Sequence, residues 1–224
     1  MAVSKPLVVI VTGAGRGTGR ELAEAFAANG AFVAANDIAP NNVGAMVKEL
    51  SKKGYTMKAY VEDVAKKMAA QALINRVIED WGRVDVLVNH AFVEPHMPLL
   101  DMDEWDWHRT MDVNLTGSFL MLQSAARVMR EQGGGVIINL LSLTGQTGAL
   151  DRAAYVSSQM GIIGLTRQAA RELYTHGVRV HAVGKGIAKY QNAEATVPSD
   201  LTRAVLFLAS PRAAHLTGMI VNIP

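Results

Sequence analysis

Short β-branched, apolar runs recur along the chain, each followed by a longer stretch of helical periodicity, and this alternation restricts the fold more than any other feature. The runs are LVVIVT (7–12), AFVAAN (31–36), TMKAYV (56–61), VDVLVN (84–89), GVIINLL (135–141), VRVHAV (178–183) and MIVNI (219–223). Helical patterns fill 18–29, 43–52, 65–81, 103–130, the stretch opening at Tyr155, and 201–209. Runs that are apolar throughout belong in a sheet buried on both faces. Strict strand–helix alternation implies parallel strands joined by right-handed crossovers, hence an α/β, doubly wound sheet of about seven strands with helices on both faces. Ligands bind such sheets at the carboxyl ends of the strands.

At 224 residues, half of them hydrophobic, the chain has apolar material for one compact domain spanning 1–224. The 22 Lys plus Arg against 20 Asp plus Glu give +2, scattered rather than massed, which argues against a nucleic-acid footprint. No cysteine is present, so there are no disulfides, in keeping with a reducing cytoplasm. The run LVVIV is too short for a membrane span and breaks at Thr12 and Gly13. No membrane partner is expected.

Between the first strand and first helix lies Thr12-Gly13-Ala14-Gly15-Arg16-Gly17-Thr18-Gly19. Glycines there permit positive φ and close backbone approach, and a helix start offers free amides to a pyrophosphate. The second strand ends at Asp37, 18 residues beyond Gly19, where a carboxylate accepts from adenosine ribose hydroxyls and repels a 2′-phosphate. NAD is therefore expected ahead of NADP, although Arg16 in the loop offers a charge to a phosphate.

With these motifs in view, the sequence resembles the short-chain dehydrogenase/reductase family over nearly its whole length. Thr12, Gly13, Gly17 and Gly19 match the family's TGxxxGxG, and Asp63 and Val64 match its adenine-contacting pair. Asn89-His90-Ala91-Phe92 stands where the family has Asn-Asn-Ala-Gly. The resemblance makes Thr18, Asn89 and Ala91 cofactor contacts, Asn114 the anchor of a water in a proton relay, and Ser142 and Tyr155 the catalytic pair. Its Tyr-x-x-x-Lys signature reads Tyr155-Val156-Ser157-Ser158-Gln159 here. The family's Pro-Gly after the sixth strand reads Lys185-Gly186, and the segment from Ile187 to Pro198, a substrate lid in the family, is short. Gly186 and Ile187 complete the expected cofactor contacts. The resemblance also implies a Rossmann-type domain, a homodimer or homotetramer built on the fourth and fifth helices, and a small alcohol or carbonyl substrate.

The exchange at 159 has a computable consequence. In the family the Tyr exchanges the proton on the substrate oxygen, the Ser holds that oxygen, and hydride passes to or from the nicotinamide. A Lys cation ~5 Å from the phenol, at an effective dielectric of ~20, favours the phenolate by about 3 kcal/mol. An amide supplies no such charge, so the chemical step should lose on the order of 10²-fold. Gln159 retains donors and an acceptor for the nicotinamide ribose, so cofactor binding outlasts the loss. Lys185 and Arg152 are the nearest replacement cations by sequence.

Of the six His, His90 and His96 lack the i, i+4 spacing of helical zinc sites, and no metal is expected. His90 is read as bordering the nicotinamide pocket. Trp105, Trp107 and Met111, after the caps Asp101 and Asp103, read as helix packing. Three functions stay open: an NAD(H)-dependent oxidoreductase with weakened catalysis, a catalytically silent subunit pairing with an active homologue, and a dinucleotide-dependent regulator.

Overall fold

The computed structural model describes residues 5–142, 148–185 and 199–223. Its strands are β1 (Val8–Thr12), β2 (Phe32–Asp37), β3 (Met57–Val61), β4 (Val86–Asn89), β5 (Gly135–Ser142), β6 (Val178–Lys185) and β7 (Ile220–Ile223). They form one all-parallel sheet in the order β3-β2-β1-β4-β5-β6-β7. Helices α1 (Gly17–Ala28), α2 (Pro40–Ser51), α3 (Lys67–Trp81), α4 (Glu104–Met111), α5 (Gly117–Glu131), α6 (Ala153–Leu173) and α7 (Asp200–Ala209) make the connections and flank the sheet.

The uninterrupted apolar strands are explained by two cores. Val9 and Val11 of β1 pack with Val33 and Ala35 against Leu22, Phe26, Met46 and Val205, from α1, α2 and α7. Val8 and Ile10 turn the other way, to Leu73, Val77, Met121 and Met129 of α3 and α5. With alternate side chains committed to opposite faces, a polar residue at either parity would be buried. The edge strand β3 departs from this rule, with Lys58, Ala59 and Val61 exposed.

The helix expected over 103–130 is interrupted. Asp103 caps α4 by accepting the Asp106 N–H at 2.7 Å. At Asp112–Thr116 the chain widens into one π-helical turn before α5 begins at Gly117. Such turns are frequent at functional sites, and this one carries Asn114. Helical periodicity does not reveal it, because five residues are too few to show a separate period. Among the described residues, no helix is long and apolar enough to cross a membrane.

Candidate active site

The strand order reverses between β1 and β4, opening a crevice at their carboxyl ends. Thr12 ties the two ends together: its hydroxyl oxygen accepts from the N–H groups of His90 (2.9 Å) and Ala91 (3.1 Å). A cleft of about 1160 Å³ lies there, bounded by the glycine loop, the ends of β2 and β3, and residues 90–95 after β4.

The glycine loop is shaped by close contacts. Gly13 has φ +66°, and a Cβ on it would sit 2.9 Å from Ala91 Cα. At Gly19 a Cβ would lie 2.1 Å from the Gly13 carbonyl oxygen, so only glycine lets the helix start this near the loop. Gly17, at φ +53°, faces open space, and α1 begins at Gly17 with no side-chain cap on its first amides. Uncapped amides beside an open cradle suit a pyrophosphate. Arg16 and Thr18 line the cleft beside Gly13 and Gly17.

Asp37 stands at the cleft edge and also organises it. One carboxylate oxygen accepts the Gly15 N–H and the other the Ala39 N–H, both at 2.9 Å. Each oxygen keeps a lone pair for a ribose hydroxyl. Asp63, Val64 and Ala91 line the same cleft. Asn36 holds the β3 end in place through its amide donors to the carbonyls of Tyr60 and Glu62.

Other expected residues lie deeper. Asn89 is buried, its amide donating to the Ser118 carbonyl and to Asn139 Oδ1 (2.9 Å), and it does not line the cleft. Asn114 clamps the chain after β4, with its Oδ1 accepting the Val93 N–H and its Nδ2 donating to the Val93 carbonyl and Ser158 Oγ. Its own carbonyl accepts the Ser118 hydroxyl at 2.7 Å.

Ser142 ends β5, and Tyr155 stands in the first turn of α6, hydrogen-bonded to it. Burial first, then the Glu94 carboxylate, push the phenol up to about 12, while the Ser142 hydrogen bond and Arg152 pull it down. The ring of Phe92, which lines the cleft, lies 6.1 Å from the Tyr155 ring. Gln159 is only 2% exposed. Its Oε1 accepts the Ser142 backbone N–H at 2.7 Å, and its Nε2 lies 3.4 Å from Ser158 Oγ. The expectation of a ribose contact from this amide meets a side chain turned inward to the end of β5.

His90 lines the cleft against Gly19 and Phe92, and burial pushes it down to about 4, so it is neutral near pH 7. Arg152 is not a free cation, because it pairs with Glu94. Glu94, 58 residues away, is a site neighbour that sequence reasoning missed, and no local pattern marks it. Trp105, His108 and Arg109 of α4 reach the cleft rim rather than serving only as packing. Gly186 and Ile187 lie outside the described residues, as does the segment 187–198. Among the described residues, no group of three or more His, Cys, Asp or Glu could hold a metal ion.

The family profile described as short chain dehydrogenase matches residues 7–200. An uncharacterized oxidoreductase of Thermotoga maritima is 35% identical, covering 96% of this chain and 95% of its own. The 3-oxoacyl-[acyl-carrier-protein] reductase FabG of Staphylococcus epidermidis is 36% identical, covering 96% of each. The crystal structure of a short chain dehydrogenase from Mycobacterium smegmatis superimposes with a TM-score of 0.92 at 32% identity, over all of this chain and 94% of that one. With the fold, the crevice and relatives matched end to end, the chain belongs to the short-chain dehydrogenase family and is an oxidoreductase.

Proposed function

We propose that the chain is a single dinucleotide-binding domain acting in the cytoplasm, which interconverts a small alcohol and a carbonyl with NAD(H) and has an attenuated proton-transfer step. The observation that carries this reading is the hydrogen-bonded Ser142–Tyr155 pair, joined through Phe92 to a cleft with a carboxylate at its adenosine end. The glycine loop and the start of α1 hold the pyrophosphate, Asp37 the adenosine ribose, and Asp63 and Val64 flank the adenine. A nicotinamide bound there supplies or accepts the hydride. Tyr155 gives the proton to the carbonyl oxygen in reduction and takes it in oxidation, while Ser142 hydrogen-bonds that oxygen. Gln159, at the position of the family's lysine, fixes Ser142 and contributes no charge, which is the source of the attenuation. A 3-oxoacyl thioester belongs among the test substrates because of the reductase relative.

The same inward amide favours a second reading, a catalytically silent subunit pairing with an active homologue. Association of either kind, homodimer, homotetramer or hetero-oligomer, is proposed to use the groove between α5 and α6, where Phe119, Leu122 and Leu165 meet.

The test is a fluorescence titration of the purified protein with NADH and NADPH, followed by assays over a panel of carbonyl compounds. NADH should bind tighter than NADPH, and Asp37→Ala should weaken NADH about tenfold and relax the preference. Equal affinities that the substitution leaves unchanged would remove the role given to Asp37. Tight NADH binding with no turnover on any carbonyl would favour the silent subunit.

A further inference from the structure

The geometry points to Glu94 and Arg152 as a charge pair that sets the proton affinity of Tyr155, with Arg152 standing in for the cation missing at 159 and Glu94 holding that cation in check. The inference rests on Ser142 and Tyr155 being the proton-transfer pair. It names two positioning residues that act through the phenol.

Three features place the pair. Arg152 is the residue before α6, one turn ahead of Tyr155, and its Nη1 donates to Glu94 Oε1. Their side chains are only 31% and 24% exposed, so the pair is partly withdrawn from water and acts at higher effective strength than a surface pair. A backbone clip fixes the distance between the two segments: Met97 N–H donates to the Asp151 carbonyl at 2.8 Å, and Met97 bridges Arg152 in parallel. Asp151 takes φ +60° to make this turn. Phe92, two residues before Glu94, lies with its ring 6.1 Å from that of Tyr155, so the segment that carries the carboxylate runs beside the Tyr155 side chain.

Glu94 and Arg152 are the charged groups acting on Tyr155 among the described residues, and they act in opposite directions, Glu94 the more strongly. His96 approaches the same carboxylate, with Nε2 3.9 Å from Oε1, and His90 stands behind Phe92 and is neutral near pH 7. Gln159 is committed to Ser142 and carries no charge. Removing the carboxylate therefore leaves Arg152 free to favour the phenolate, whereas removing the guanidinium leaves the carboxylate to oppose it.

The experiment follows the 13Cζ resonance of Tyr155 with pH in cofactor-free protein labelled at tyrosine and assigned by its loss in Tyr155→Phe. In Glu94→Gln the ionised fraction at about pH 11 should rise roughly five-fold, the result of a downward shift of about one unit. In Arg152→Gln it should fall below the parent's, and Arg152→Lys, which keeps the charge, should restore it. Shifts in the same direction in both neutral variants, or no shift in either, would overturn the inference, since loosened packing drives both toward an ordinary phenol. Because the titration needs neither cofactor nor substrate, its failure is distinct from failure to turn over a carbonyl.

Discussion

Gln159 accepts the backbone N–H of Ser142 through its side-chain oxygen at 2.7 Å, so the residue one turn after Tyr155 holds the end of β5 and stays out of the cleft. The amide occupies a place where a cation would serve the chemistry, and it meets a partly buried donor that a cation could not.

Replacing it should therefore have two separable effects. Gln159→Lys brings a positive charge near the phenol, and turnover in carbonyl reduction should rise by tens-fold, somewhat less than the ~3 kcal/mol of full Coulomb attraction allows. It also strips the Ser142 N–H of its acceptor, which should cost about 1–2 kcal/mol of stability. Steady-state kinetics and urea unfolding of the same preparation measure both. A less stable variant with unimproved turnover would count against the role given to position 159.

The pH dependence follows from the phenol, pushed up to about 12 chiefly by burial. Alcohol oxidation needs the phenolate, so its rate should climb about tenfold per unit and still be rising at about pH 10. Carbonyl reduction needs the protonated phenol and should stay level over the same range. Initial rates in both directions decide it, and an oxidation plateau below about pH 9 would show that another cation lowers the phenol.

Two glycines should respond oppositely to alanine. In Gly19→Ala the new Cβ meets the Gly13 carbonyl at 2.1 Å, a backbone atom that cannot move aside cheaply. NADH affinity should fall at least about tenfold, and stability by about 1–3 kcal/mol. Gly44→Ala, inside α2 with nothing within 4 Å of the new Cβ, should gain about 0.5–1 kcal/mol and bind NADH as before. Chemical denaturation and cofactor titration of the two variants provide the comparison.

His181 predicts an acid limb in stability. It is fully buried in β6, both ring nitrogens lack a partner among the described residues, and burial and then Arg179 push it down to about 4. Between about pH 6.5 and 4 the unfolded chain binds a proton that the folded chain refuses, so stability falls as pH falls through that window. The contribution is on the order of 3 kcal/mol. His181→Leu should flatten this limb in melts recorded from pH 7 to 4. The remaining slope belongs partly to His90, which is shifted in the same direction.

The parts of the fold legible in the sequence were those written in local periodicity. β1 follows from LVVIVT and α1 from the glycines and the amphipathic stretch after them. Asp37 could be placed at the end of β2 because strand, loop and spacing all lie within one βαβ unit. The π turn around Asn114 was not legible, because its five residues are too few to show a period of their own. Trp105 looked like packing by its spacing and lies at the cleft rim. Arg152 looked like a free surface charge, and its partner Glu94 is 58 residues away.

By itself the sequence determined the alternation of elements, the parallel sheet and the dinucleotide loop, because strand burial, helix periodicity and glycine conformation each depend on neighbours within a few residues. Only the tertiary structure decided that Gln159 turns to Ser142, that Asn89 faces the core, and that Glu94 pairs with Arg152. Those outcomes depend on which donor a side-chain amide meets and which charge finds its partner, and both are settled by packing between segments distant in the chain.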